Sequence, residues 1–188
     1  MMNKQEALDL VKTKVTNKNL IKHMLALGAC MKGIAVHLNE DKDKWEVVGV
    51  LHDIDFETTQ NDLKQHPILG CTWLTEAGVE KDIVDAVRAH GWGWVPEIPE
   101  PKNAMEWSAF CADHLTGLII AVTLVRPSKK IADVTVEDIL KKWSKKDFAR
   151  GTKRENIAMC EEELGIKLND FIAICLKAMQ GISKELEL

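Results

Sequence analysis

Five times along this chain a helix-capping side chain stands three residues ahead of a carboxylate: Asn3 before Glu6, Asp43 before Glu46, Asn103 before Glu106, Ser144 before Asp147 and Thr152 before Glu155. In that arrangement the capping oxygen accepts an N–H left free in the first helical turn, and the carboxylate reaches back to the cap's own N–H. Each pair marks a predicted helix start. Behind the starts, apolar residues recur at helical spacings, as in Leu20, Leu27, Met31 and Ile34, or Ile83 and Val87. That repeat lines one face of a helix, whereas the alternation that lines one face of a strand is hard to find. An all-α fold follows. His66 precedes Pro67, and proline suits a first helical turn, so a helix is expected from there to Gly78, with another ending at Gly91 just beyond His90. The prolines of GWGWVPEIPEP, residues 91–101, cannot sustain a helix and make this the longest loop. No internal repeat or low-complexity tract interrupts the pattern, so residues 1–188 read as a single compact helical domain.

The chain has material for one substantial core, with 46% of its 188 residues hydrophobic and 29% charged. Its five cysteines, at 30, 71, 111, 160 and 175, form no CxxC pair, which suggests reduced core fillers rather than disulfides or a thiolate metal site. A formal net charge of -4 argues against nucleic acid as a partner. From Arg126 to Arg154, however, ten Lys or Arg stand against four Asp or Glu, a segment able to meet an anion. The N-terminus lacks the apolar core of a secretory signal, and no run approaches an unbroken membrane-spanning stretch. The expectation is a cytoplasmic protein without a membrane partner.

The informative residues are polar side chains on faces that ought to be apolar. His23 has Leu20 and Leu27 as its helical neighbours, and His90 shares a face with Ile83, Ala86 and Val87. Asp113 is flanked at the same spacings by Ala109, Phe110, Thr116 and Gly117, so burial is expected for it. An unpaired buried carboxylate is costly enough that it protonates or finds a cation, and a metal ion is the cation that also uses inward histidines. His52 and Asp53 follow the apolar run VVGVL. Adjacent helical residues diverge by about 100 degrees, so that pair converges only on something set between them, such as a metal. Nitrogen and carboxylate donors from separate helices suit a divalent transition ion, and nothing in the sequence chooses among Fe, Mn, Zn, Co and Ni. Taken singly, an inward histidine is more often a hydrogen-bonded core residue than a ligand. The ordered set carries the argument.

That order, His23, then His52-Asp53, then His66 and His90, then Asp113, resembles the HD superfamily of metal-dependent phosphohydrolases, whose minimal pattern is H…HD…D. VGVLHDID is similar to the family's apolar helix ending in HD, and CADHLTGLI to the helix bearing the last aspartate. The resemblance covers about 19–125 and implies an HD-type helical bundle, with residues of about 126–188 adding further C-terminal helices. It implies one metal on His23, His52, Asp53 and Asp113, and a second ion where His66 and His90 match the additional histidines of two-metal members, with Asp53 bridging. Two features differ from the cyclic-dinucleotide phosphodiesterases of the family: Gly91 follows His90 where they carry paired histidines, and a GYP signature is missing. Many single-metal nucleotidases have a glutamate where this chain has Phe56.

The implied activity is hydrolysis of a phosphomonoester or phosphodiester, a nucleotide among the candidate substrates, by water activated at the ion. Asp55 is the candidate for proton transfer, although capping of the next turn explains it equally well. Arg126, Lys129 and Lys130 follow the Asp113 helix and are candidates for an anion clamp, against the alternative of an exposed turn. Lys141, Lys142, Lys145 and Lys146 are expected in solvent, and Trp92 and Trp94 either cover the pocket or pack on the core. His37 and His114 have no place in the family pattern. The apolar face of LNDFIAICLKAMQGI serves either a homodimer or the monomer's own core. Two other readings stay open: a di-iron oxygenase using the same ligands, and a non-catalytic metal-binding signalling module.

Overall fold

A computed structural model of the protein describes residues 2–145 and 147–188; Lys146, expected in solvent, lies outside the described residues. The elements are helical throughout, with no strand among the described residues. In chain order they are α1 (Lys4–Lys12), α2 (Lys18–Leu38), α3 (Lys42–Leu51), α4 (Phe56–Thr59), α5 (Ile68–Glu76), α6 (Lys81–Ala89) and α7 (Ala104–Val125). There follow a 3-10 turn (Ile131–Asp133), α8 (Val136–Trp143), α9 (Arg154–Ala158), α10 (Cys160–Leu164), α11 (Leu168–Gly181) and α12 (Ser183–Leu186).

Two of the expected caps form as read. Asn3 and Glu6 make a reciprocal capping box on α1, and the Asn103 side chain accepts the Glu106 N–H at the start of α7. The others move. Asp41, not Asp43, caps α3, accepting from the N–H groups of Asp43 and Lys44. No helix begins at Ser144, which ends α8, and Asp147 pairs instead with Arg150. Thr152 yields the capping position of α9 to Lys153. A four-residue pattern fixes a helix start only when the residues behind it have an apolar face to bury, and after Ser144 they do not. Pro67 likewise stands just before α5 rather than inside its first turn, with the His66–Pro67 peptide cis. Gly78 closes α5 in the left-handed region at φ 74, a conformation costly for other residues.

The two long helices organise the core. α2 packs on α3, α7 and α11, while α6 bridges α3, α5 and α7. The α2–α3 crossing is so close that the backbones meet at glycines: a Cβ on Gly49 would lie 2.5 Å from the Leu27 carbonyl carbon and 2.6 Å from Gly28 Cα. From the C-terminal region, α8, α9 and α10 close over α7, α11 covers α2, α7 and α8, and α12 packs on α2. Phe171, Ile172, Cys175 and Met179 of α11 are buried, so its apolar face is spent largely within the chain. All five cysteines are buried and free, and burial pushes the thiols of Cys71 and Cys160 up to about 12, well away from reactive thiolate.

α7 amends one expectation. By length and composition it is apolar enough to cross a bilayer, but 61% of its most apolar window is buried in the bundle. It is the central helix of this core, which is why it is apolar on more than one face.

Candidate metal centre

Two histidines reach the centre by the same local device. His52 and His90 occupy the C-cap positions of α3 and α6, where the last carbonyls of a helix lack intrahelical partners. Each ring folds back on its own helix: His52 Nδ1–H donates to the Gly49 carbonyl at 2.8 Å, and His90 Nδ1–H donates to the Val87 carbonyl. Their Nε2 atoms are thereby turned away from the helix ends. His66, in the loop before α5, donates Nδ1–H to Asp55 Oδ1 at 2.8 Å. His23, on α2, donates Nδ1–H to Thr116 Oγ1 at 3.1 Å, because that hydroxyl spends its own proton on the Asp113 carbonyl at 2.7 Å.

All four Nδ1 atoms are committed to acceptors, so all four Nε2 atoms present lone pairs to a common space. There they meet in pairs, His23 to His52 at 3.1 Å and His66 to His90 at 3.0 Å. Facing lone pairs at such distances repel unless a proton or a metal ion lies between them. Two nitrogens bound about 2.1 Å from one ion at a right angle sit about 3.0 Å apart, so the donor set fits a metal.

Asp53 stands between the two pairs. Its Oδ2 lies 3.5 Å from His23 Nε2 and 3.3 Å from His52 Nε2, while its Oδ1 lies 3.4 Å from His66 Nε2 and 3.7 Å from His90 Nε2. The described residues thus include two groups able to hold a metal ion, His23 with His52 and Asp53, and Asp53 with His66 and His90, each group's ligand atoms lying within 4.8 Å of one another. Asp113 joins the first group through Oδ1, 3.0 Å from His23 Nε2 and 3.7 Å from His52 Nε2. It is not sealed in as its apolar neighbours suggested: its side chain is 21% exposed and that of His23 25%, both facing a cavity.

Burial works against charge on His23, but the Asp113 and Asp53 carboxylates outweigh it and push its pKa up to about 9. His90 moves up for the same reason, through Asp53 and Asp113. Burial works equally against charge on Asp53 and Asp113, and the neighbouring imidazoles outweigh it to hold both carboxylates well below the usual range. The cluster therefore stays anionic at its oxygens and binds cations or protons at its nitrogens.

The cavity above the cluster has a volume of about 260 Å³, with His23, Asp53, His66, His90 and Asp113 in its floor and Leu20, Phe56, Trp94, His114 and Gly151 in its walls. A larger groove of about 660 Å³ between α2 and α11 contains none of these ligands, so donor chemistry rather than size locates the site.

Three expectations are corrected here. Asp55 is fully buried behind His66, with Oδ1 taken by that ring and Oδ2 by the Gly70 N–H at 2.8 Å, so it does not reach the cavity as a proton-transfer group. Arg126, Lys129 and Lys130 do not line the cavity: Arg126 is paired with Asp138, and it lies thirteen residues, about 20 Å of helix rise, beyond Asp113. Lys129 and Lys130 are exposed on the turn that follows. Lys141 and Lys145 are exposed as expected, but Lys142 is half-buried with its ammonium 5.0 Å from the Phe148 ring centre.

Trp92 packs against Trp107 and Phe110, while Trp94 is 45% exposed and stacks on His114 with ring centres 5.9 Å apart. His114, set aside in the sequence, is a wall of the cavity because it follows Asp113 directly on α7. Burial first, and the charge of Lys153 after it, lower its pKa against the pull of Asp113. Phe56 stands edge-on to His66, ring centres 5.2 Å apart. Gly91 has its own steric reason, since a Cβ there would lie 2.5 Å from Pro67 Cδ, so no second histidine fits beside His90. Gly151 and Lys153 come from the C-terminal region, and no sequence pattern connects them to the histidines.

Among curated proteins, none matches the chain. The family profile of the HD domain matches residues 20–121, more than half of the chain and the whole span from His23 to Asp113. With that match laid over a helical bundle whose ordered histidines and aspartates converge on one cavity, the chain belongs to the HD domain family.

Proposed function

We propose that the protein is a metal-dependent phosphohydrolase acting on a small phosphomonoester or phosphodiester, mononucleotides included. The single observation that carries this reading is the convergence of four imidazole Nε2 atoms on the two oxygens of Asp53, each ring locked by a bond at Nδ1. His23, His52, Asp53 and Asp113 are assigned to one ion, and Asp53, His66 and His90 to a second. A divalent transition ion so held supplies Lewis acidity toward phosphoryl oxygens and makes water a nucleophile near neutral pH.

The chain's own contribution is orientation. Gly49, Val87, Asp55 and Thr116 fix the tautomers of the four rings, and such partners are commonly worth 10–100-fold in metal affinity. Asp55 is accordingly a positioning residue. In Asp55→Asn the amide cannot accept from both His66 and Gly70, because one of its ends is now a donor. Metal titration should then show binding at the His66–His90 group weakened by about 10–100-fold and that at the His23–Asp113 group nearly unchanged; equal loss at both, or none, removes this role. Leu20 and Phe56 keep part of the cavity wall apolar and limit bulk water beside the phosphoryl group. In this reading the partners are small phosphorylated molecules rather than nucleic acid or membrane, and the setting is the cytoplasm.

The test is metal analysis followed by assay of fully loaded protein on nitrophenyl phosphate, bis(nitrophenyl) phosphate and a mononucleotide panel. Metal-dependent release of nitrophenol or phosphate supports hydrolysis. Full occupancy with no turnover points to the non-catalytic module. The shared carboxylate of Asp53 is equally what a di-iron oxygenase would use, and a di-iron optical signature with oxygen uptake and no phosphate release would move the assignment there.

A further inference from the structure

We propose that Lys153 is the substrate's anion-binding residue, held at the mouth of the metal cavity by the Trp94 ring, and that it selects small phosphomonoesters. This deepens the phosphohydrolase reading and rests on it for the identity of the anion. The Lys153 ammonium sits 4.6 Å from the centre of the Trp94 ring. Trp94 lines the cavity, as does Gly151, two residues before Lys153. An indole face attracts an ammonium without neutralising it, whereas a carboxylate partner would cancel its charge. The ring thus seats a cation that keeps its full attraction for an anion.

The neighbouring cations are committed elsewhere. Arg154 donates to the carbonyls of Phe148, Ala149 and Thr152, Arg150 pairs with Asp147, and Arg126 pairs with Asp138. With Asp53 and Asp113 on the cavity floor engaged by the metal, an ammonium at the mouth would act on the phosphate oxygens that face away from the ion. A cavity of about 260 Å³ falls below the 300–1,000 Å³ range of drug-sized ligand sites, which fits one phosphate on a compact group rather than a dinucleotide. A monoester dianion also draws more from a single ammonium than a diester monoanion does. Lys153 lies beyond the matched HD segment, so the C-terminal region supplies the selectivity and the helical core the metal.

The experiment uses the metal-loaded 188-residue chain and compares Lys153→Met, Lys153→Arg and Trp94→Leu with the unaltered chain. Calorimetric titration with inorganic phosphate gives binding apart from turnover, and kcat and KM are measured on nitrophenyl phosphate and bis(nitrophenyl) phosphate. Lys153→Met should weaken phosphate binding and raise KM for the monoester by about 10–100-fold, the worth of a charged hydrogen bond, with kcat and metal content nearly unchanged. Lys153→Arg should recover most of the loss, Trp94→Leu should show a smaller one, and the diester should respond least. Phosphate binding that Lys153→Met leaves intact, or a loss of metal in step with phosphate, would overturn the proposal. Lys153-dependent phosphate binding by a protein that turns over neither ester would uphold the anion site while defeating the hydrolase reading.

Discussion

Asp53→Ala is expected to lose its metal and its hydrolytic activity together. Each Asp53 oxygen faces a different histidine pair, so removing one side chain takes a ligand from both groups at once. What remains is four imidazoles with lone pairs 3.0 and 3.1 Å apart and one carboxylate, Asp113, near only the first pair. If a ligand's hydrogen-bond partner is worth up to about 100-fold in affinity, loss of a ligand common to two sites costs more than that at each. Metal analysis of the purified variant should find it nearly empty, and turnover should fall by at least about 100-fold. Asp113→Ala gives the contrast, since it should weaken the His23 group and spare the His66–His90 group. The proposal cannot survive an Asp53→Ala protein that stays loaded and active.

The second large effect lies away from the chemistry. Gly49→Ala is expected to destabilise the fold by about 3 kcal/mol or more, the upper end of overpacking costs, because the new methyl meets the backbone of Leu27 and Gly28 rather than a side chain able to swing aside. For a chain of this size that is a fall in Tm of about 10 °C. The α2–α3 crossing joins the helix bearing His23 to the one ending in His52, and the Gly49 carbonyl accepts the His52 Nδ1–H. Forcing the helices apart should therefore loosen metal binding as well as lower Tm. Gly181→Ala is the control: a Cβ there meets nothing within 4 Å, and its melting temperature should stay level or rise slightly. Thermal unfolding of the three metal-free proteins decides it, and a Gly49→Ala variant melting with the unaltered chain would refute the steric argument.

Much of the centre was legible because its ligands interrupt helical apolar faces. His23 among Leu20 and Leu27, His90 among Ile83 and Val87, and Asp113 on the α7 pattern are anomalies that periodicity exposes in a single chain. The all-α class was legible for the same reason, as a spacing of three and four is a property of one segment. Cap positions were less so: Ser144 and Asp147 satisfy the local pattern, yet the segment behind them has no apolar face to bury.

The sequence by itself determined a helical protein with inward imidazoles and carboxylates in a fixed order, because helix periodicity and the cost of buried charge act within short stretches of chain. Only the tertiary structure decided which groups share a cavity. It set Asp55 behind His66, carried Arg126 to the far end of α7, and brought Trp94 and His114 together in the cavity wall, with the Lys153 ammonium over the Trp94 ring. Those meetings depend on how helices cross, and the crossing of α2 and α3 is set by two glycines, Gly28 and Gly49, whose missing side chains show their effect only when the helices touch.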